Sequence, residues 1–177
     1  PFNKILGEDC IIYAYTSSSM PPNGTNFSNR IHADCPRFIK NYITNMGCTI
    51  ALDDFTLENG ATQFLPGSHL NEKKPSKKKF NKDKKYFVCK QGSIFFFNAR
   101  LFHCGGKNTT NAWRHGLTLN FSRYWMKQRF DMRAILKKKI KEKKLDNQVK
   151  QKLGLTTSPP NSLEEYYGYG MKRSYSN

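Results

Sequence analysis

Short apolar runs separated by turn residues dominate the first two-thirds of the chain. They predict strands at residues 10–15, 48–55, 61–65, 86–90, 93–102 and 113–124. In the last of these, Leu117 and Leu119 alternate with Thr118 and Asn120. A period of two is typical of a strand with one apolar and one polar face. The pattern therefore favours a sheet protein over a helical one.

Turn residues punctuate the same region. Asn59-Gly60 predicts a hairpin that joins the strands at 48–55 and 61–65. The lysine-rich stretch 72–85 predicts a surface loop of low order. From residue 125 to 153 the apolar spacing becomes helical, which predicts one surface helix or two short ones.

Many short strands followed by a helix favour a mainly β fold, a sandwich or jelly roll with C-terminal helical additions. The 177 residues fit a single domain spanning 1–177, with a core at about 6–124 and a helical and irregular extension at 125–177. Apolar residues make up 37% and aromatic residues 14%, which is a globular composition. The apolar runs are far shorter than the roughly 18 residues of a membrane helix, so no membrane span is expected.

The formal charge of +17 is concentrated in lysines at residues 72–85 and 127–152. Such blocks either are solvated faces or attract anions. Few aromatic residues are interleaved with the first block, so specific nucleic-acid binding is not expected. Five cysteines without a CxxC pair argue against disulfides and a cysteine-rich zinc site, and favour a reducing, cytoplasmic location.

The candidate chemistry begins at His32-Ala33-Asp34. In an extended segment His32 and Asp34 project to the same face, where an imidazole and a carboxylate are good ligands for a divalent metal. A second histidine would complete the open-sided triad of non-haem iron sites. Of the other three histidines, His69 lies in a turn and His115 directly follows Arg114, whereas His103 ends a phenylalanine-rich strand before two glycines. His103 is therefore the best third ligand.

Arg114 adds a counter-charge to this group. A guanidinium is the natural two-pronged partner of a carboxylate. A turn separates His103 from Arg114, so neighbouring strands can present both to one cavity. Such a cavity suits a dicarboxylate that chelates the metal at one end.

The chain resembles the phytanoyl-CoA dioxygenase family in several ordered features. These are the HxD at 32–34, the stretch DFTLENGATQFLPGSH at 54–69, Gly92-Ser93, and His103 with Arg114 eleven residues later. The resemblance runs from about residue 6 to residue 124. It implies a double-stranded β-helix (jelly roll, cupin-like) fold, and family members are expected to have more residues before the HxD strand than this chain shows.

The resemblance also implies an Fe(II)- and 2-oxoglutarate-dependent dioxygenase that uses O2 on a small-molecule substrate, releasing succinate and CO2. By carry-over, His32, Asp34 and His103 would bind the iron, Arg114 would bind the distal carboxylate of 2-oxoglutarate, and Thr62 is a further candidate for a co-substrate contact. Halogenating relatives lack the carboxylate ligand, so Asp34 favours hydroxylation or a related oxidation such as desaturation. The lysine-rich stretch hints at an anionic substrate.

Three other functions compete with this interpretation. One is a basic anion- or nucleic-acid-binding jelly-roll protein with a vestigial metal site. Another is a zinc site for hydrolysis, which does not need the carboxylate partner that Arg114 provides. The third is a nucleic-acid demethylase of the same superfamily, for which the expected arginine-rich C-terminal motif is missing. The sequence does not indicate the substrate or the oligomeric state.

Overall fold

A computed structural model describes residues 1–136, 145–156 and 160–168. Seven strands and four helices lie wholly within these ranges. The strands are β1 (Ile11–Ser17), β2 (Asn45–Ala51), β3 (Gln63–Phe64), β4 (Lys85–Tyr86), β5 (Ile94–Asn98), β6 (His103–Cys104) and β7 (Gly116–Ser122). The helices are α1 (Phe2–Leu6), α2 (Lys77–Asp83), α3 (Asn147–Lys152) and α4 (Leu163–Tyr167).

The strands form two antiparallel sheets. One has the order β1-β7-β2-β5 and the other the order β4-β3-β6. Aromatic rings from the two sheets meet between them. The ring centroids of Phe64 in β3 and Phe95 in β5 are 5.0 Å apart, and those of His103 in β6 and Phe97 in β5 are 5.1 Å apart. The prediction of a mainly β fold is confirmed, and the interior between the two sheets is where a site can form.

Alternation along β7 occurs as predicted, since Asn120 and Ser122 are buried on one face while Leu117 on the other is 37% exposed. The residues of β5 alternate as well. Phe95 and Phe97 face the second sheet, whereas Phe96 between them is 39% exposed and contacts Phe2 of α1 on the outer face. The predicted strand at 93–102 is shorter than expected because the chain turns after Asn98. The Asn98 side chain accepts a hydrogen bond from the backbone N–H of Arg100, and a new strand begins at His103.

The hairpin predicted at Asn59-Gly60 is wrong. β3 pairs with β4 and β6 rather than with β2, so the turn joins strands of different sheets. The turn itself is present: Asn59 and Thr56 exchange side-chain to backbone hydrogen bonds, and Gly60 has a positive φ of 83°. A turn signal is local, whereas the choice of strand partner depends on the whole fold.

The lysine-rich stretch 72–85 is not a loop of low order, because it contains α2. Ser76 caps the helix by accepting a hydrogen bond from the backbone N–H of Lys79. Phe80 is 1% exposed and packs against Leu65, Phe102 and Cys104. One buried aromatic side chain thus anchors a helix whose other faces carry lysines.

The C-terminal helical prediction is met only in pieces. Residues 125–131 form turns, residues 132–136 are helical and α3 covers Asn147–Lys152. The part of the prediction at 137–144 lies outside the described residues. None of the helices in the described ranges has both the length and the apolar character needed to cross a membrane.

Because Gly47 of β2 has no side chain, the ring of Phe97 occupies the space beside it. A Cβ at this position would stand 2.3 Å from Cζ of Phe97. We expect Gly47→Ala to lower the free energy of unfolding by about 1–3 kcal/mol, because overpacking forces the ring out of its rotamer. Urea unfolding measures the change, and the substitution should cost much less in a Phe97→Leu background. An equal cost in both backgrounds would show that the ring is not the cause.

Candidate metal centre

Two histidines and one aspartate come together where β6 meets the segment before β2. One ligand atom from each of His32, Asp34 and His103 lies within 4.8 Å of the others. Nε2 of His32 is 3.6 Å from Oδ1 of Asp34, and Nε2 of His103 is 3.8 Å from the same oxygen. We call these three residues the His-Asp-His cluster.

Backbone pairing places the two histidines side by side. The N–H of His32 donates to the carbonyl of His103 over 3.0 Å, and the reverse hydrogen bond measures 2.9 Å. Directly opposed residues of an antiparallel pair project to the same face. The two imidazole centroids are accordingly 4.3 Å apart. Asp34 is two residues beyond His32 and projects to the same side.

The residues between these side chains face the other way, into an apolar cluster. Ile31 and Ala33 alternate with His32 and Asp34, and they pack against the cluster that surrounds Phe80. Phe102 and Cys104 flank His103 and belong to the same cluster. Alternation on both strands thus separates the chemical face from the packed face.

Both imidazoles present the same nitrogen to the centre. Nδ1 of His32 lies 2.7 Å from the carbonyl oxygen of Arg30, and Nδ1 of His103 lies 2.9 Å from that of Leu101. Because a carbonyl can only accept, each Nδ1 carries the proton and donates it. In the neutral ring Nε2 then keeps its lone pair, which faces Asp34 and is free to bind a metal.

The electrostatics of the cluster fit a cation. Burial raises the pKa of Asp34, but the hydrogen bond with His32 and the charges of His103, His32 and Arg129 outweigh it, so the carboxyl pKa is lowered. Burial lowers the pKa of His103, which favours a neutral ring. The pKa of His32 is raised, chiefly by its hydrogen bond with Asp34.

Oδ2 of Asp34 is buried and has no hydrogen-bond partner among the described residues. A buried carboxylate oxygen normally has a partner. Two neutral imidazoles and one carboxylate form a donor set suited to a first-row divalent metal. Ligand atoms about 2.1 Å from one ion lie roughly 3–4 Å apart, and the two Nε2 atoms lie 3.6 and 3.8 Å from Oδ1 of Asp34. The residues present therefore fit a metal ion.

Arg114 lies two residues before β7, opposite Met20, and is 2% exposed. Its Nη1 donates to the carbonyl of Ser18 over 2.9 Å and its Nη2 to that of Gly60 over 3.0 Å. The guanidinium lies 4.0 Å from the ring centroid of Phe55. The turn at Asn59-Gly60 thus supplies one of the carbonyls that hold Arg114.

Arg114 forms no ion pair in the described part of the chain, although the charge of Asp53 raises its pKa. No carboxylate lies within ion-pair distance of it, its Nε is buried without a hydrogen-bond partner, and burial lowers its pKa to about 10. Buried charges are normally paired. Since a pKa of about 10 still leaves the guanidinium charged at neutral pH, the site fits the carboxylate of a ligand.

A row of aromatic rings links Arg114 with the His-Asp-His cluster. The row begins at Phe55, beside the guanidinium, and ends at His103. The centroids of neighbouring rings in it are 4.7 to 5.9 Å apart. The rings in order are Phe55, Phe87, Phe95 and Phe97. This row is an apolar wall that runs from the His-Asp-His cluster to Arg114.

The other two histidines lie outside the cluster, whereas the co-substrate contact proposed for Thr62 stays a prediction. The carbonyl of Thr62 accepts a hydrogen bond from the N–H of Phe87, but no hydrogen bond joins the Thr62 side chain to the cluster or to Arg114 in the described residues. His69 lies in the short helical turn Ser68–Leu70, and Nδ1 of His115 lies 3.1 Å from the Ser19 hydroxyl. Neither histidine belongs to the cluster.

Two positioning residues escaped the sequence analysis. The Ser68 hydroxyl accepts a hydrogen bond from the N–H of Phe102 and so fixes the start of β6. Arg100 is 8% exposed and donates to four carbonyls, two of which, those of Cys35 and Pro36, directly follow Asp34. The turn motif Pro66-Gly67-Ser68 could have drawn attention to Ser68. No pattern in the sequence distinguishes Arg100 from other arginines.

Comparison with known proteins places these residues in a family. A sequence profile described as "Phytanoyl-CoA dioxygenase (PhyH)" matches residues 2–116. An uncharacterized protein of Mycobacterium tuberculosis is 32% identical over 179 residues, which cover 98% of this chain and 65% of that protein. The dioxygenase trt7 of Aspergillus terreus is 37% identical over 78 residues, or 43% of this chain and 26% of that protein. The chain thus spans about two-thirds of the length of its mycobacterial relative.

Solved structures share the fold. EctD from S. alaskensis with bound Fe matches with a TM-score of 0.60 at 18% identity, covering 71% of this chain and 50% of that one. EctD with 2-oxoglutarate and 5-hydroxyectoine matches with a TM-score of 0.59, also at 18% identity, covering 69% of this chain and 47% of that one. The predicted double-stranded β-helix fold is confirmed.

Proposed function

Because the chain belongs to the phytanoyl-CoA dioxygenase family, we propose that it is an Fe(II)- and 2-oxoglutarate-dependent dioxygenase that hydroxylates or otherwise oxidises a small molecule. The observation that carries the proposal is the pairing of two sites in one interior. The His-Asp-His cluster offers three metal ligands, and Arg114 offers a buried cation without a carboxylate partner. A zinc site that catalyses hydrolysis would not need the buried cation of Arg114.

The residues divide the work between them. His32, Asp34 and His103 would hold the metal, with each Nδ1–H fixed on a carbonyl so that Nε2 stays available. Arg114 would orient 2-oxoglutarate by its distal carboxylate. When bound, iron(II) and 2-oxoglutarate supply O2 activation coupled to decarboxylation, which yields succinate, CO2 and an oxidised substrate.

The apolar wall has a separate task. Phe95 and Phe97 face the cluster side of the interior and carry no exchangeable protons. They exclude water from the reaction and offer no polar group that competes with the substrate. In this proposal, the side chains of this chain bind and orient the metal and 2-oxoglutarate and shield the reaction from water.

Succinate formation tests the proposal. The purified chain, supplied anaerobically with Fe(II) and 2-oxoglutarate and then with O2, is expected to form succinate, as measured by mass spectrometry. The visible charge-transfer band of Fe(II)-chelated 2-oxoglutarate should appear before O2 is added. Removing the metal with EDTA should abolish both signals.

A chain that shows neither the band nor succinate, yet binds anions through its lysine-rich surface, would favour the alternative basic binding protein. A chain that binds Zn(II) and hydrolyses esters without 2-oxoglutarate would favour the hydrolytic alternative. Either result would contradict the proposed dioxygenase.

A further inference from the structure

A cavity of about 210 Å³ opens beside the His-Asp-His cluster, between Asp34 and the inner face of β1 and β7. Thr118 and Asn120 of β7 form its floor, and the rings of Phe27 and Phe130 lie at its outer rim. Since one end of the cavity is a proposed metal ligand, a molecule in it lies next to the reacting centre.

Arg129 also lines this cavity, and its backbone position is fixed. Its N–H donates to the carbonyl of Tyr13 over 2.9 Å. The neighbouring Gln128 side chain donates to the carbonyls of Ile12 over 2.8 Å and Leu153 over 3.1 Å. Two hydrogen bonds thus hold the turn after β7 against β1, and a third joins it to the end of α3, so that Arg129 stays at the cavity.

The Arg129 guanidinium is not used for packing. It is exposed, and within the described ranges it has no hydrogen bond and no ion pair. Arg129 and Asp34 line the same cavity. Asp34 is committed to the metal in the proposed function, so Arg129 is a cation at the cavity without a partner of its own.

We propose that Arg129 binds an anionic group, a carboxylate or a phosphate, of the primary substrate, whose apolar body lies against the aromatic rim of the same cavity. This inference rests on the proposed function, because it assigns the cavity to the substrate of the dioxygenase. Arg114 is already proposed for 2-oxoglutarate, which leaves Arg129 for a different anion. A two-pronged guanidinium suits both carboxylate and phosphate oxygens.

Matched probes test the inference by binding rather than by turnover. The chain is loaded with Mn(II) and 2-oxoglutarate and titrated calorimetrically with 3-phenylpropanoate, 2-phenylethyl phosphate and the neutral 3-phenylpropanamide. The wild type is expected to bind at least one anion at least about tenfold more tightly than the amide, as a charge-assisted hydrogen bond provides. The better anion identifies the carboxylate or the phosphate as the substrate's group.

Variants locate the effect. Arg129→Gln should remove the preference for the anion and leave the affinity for the amide unchanged, while Arg129→Lys should keep part of the preference. Lys4→Gln removes one charge from the exposed surface of α1, on the outer face of the large sheet, and should behave as the wild type. Because the Arg129 side chain makes no hydrogen bond, these variants are expected to fold normally.

Several results would overturn the inference while leaving the proposed function intact. These are normal loading with Mn(II) and 2-oxoglutarate but no binding of either anion, equal affinity for anion and amide, the same loss in Arg129→Gln and Lys4→Gln, or displacement of 2-oxoglutarate by the anion. Failure of the chain to bind Mn(II) or 2-oxoglutarate would instead contradict the proposed function itself.

Discussion

Replacing His103 with alanine is expected to lower the affinity of the chain for Mn(II), a redox-stable substitute for iron(II), by more than about 100-fold. The change removes one of the three proposed ligands, and even outer partners of metal ligands are worth roughly 10–100-fold in affinity. Isothermal titration calorimetry measures the loss directly. Because a ligand that binds only the folded state raises the melting temperature, Mn(II) should stabilise the wild type and not the variant.

His69→Ala is the matched control for this prediction. His69 is a histidine of the same chain that follows β3 and lies outside the cluster. It should bind Mn(II) as the wild type does. Unchanged affinity in His103→Ala, or an equal loss in His69→Ala, would show that the metal lies elsewhere or that these histidines act only through folding.

The local part of the site could be predicted from the sequence. His32 and Asp34 share a face because a strand repeats every two residues, and this holds wherever the strand lies in the fold. The structure adds that His103 is the residue directly opposite His32 in a pair of backbone hydrogen bonds. No local pattern contains that pairing, so sequence reasoning could only rank His103 above His69 and His115.

Where sequence reasoning failed, long-range packing decided the result. Phe80 looked like a single aromatic residue in a lysine-rich loop, yet its burial against Leu65 and Phe102 makes the surrounding residues a helix. Arg129 looked like one more cation in a basic stretch. Its place at the cavity depends on hydrogen bonds from its turn to β1, which join residues more than 100 positions apart.

Substitutions of Arg114 test the proposed binding of the distal carboxylate of 2-oxoglutarate. Arg114→Gln is expected to lower the affinity of the Mn(II)-loaded chain for 2-oxoglutarate by about 2–5 kcal/mol, or more than about thirtyfold, because it removes the buried partner of a carboxylate. Arg114→Lys keeps the charge but not the two-pronged geometry, so its affinity should lie between the two. The affinity for Mn(II) itself should stay unchanged in both variants, and calorimetry measures each affinity separately.

Arg114→Gln also leaves two backbone carbonyls without their donor. Its effect on stability must therefore be distinguished from its effect on 2-oxoglutarate binding. Arg123→Gln provides the control, since Arg123 also donates to three backbone carbonyls and lies 4.3 Å from the ring centroid of Tyr42. Its Nε donates to the carbonyl of Ile43, whereas Nε of Arg114 has no partner in the described residues. Both variants should unfold at lower urea concentrations, because carbonyls are left without donors. Only Arg114→Gln should lose 2-oxoglutarate, and an equal loss in Arg123→Gln would mean that the effect comes from stability rather than from a binding cation.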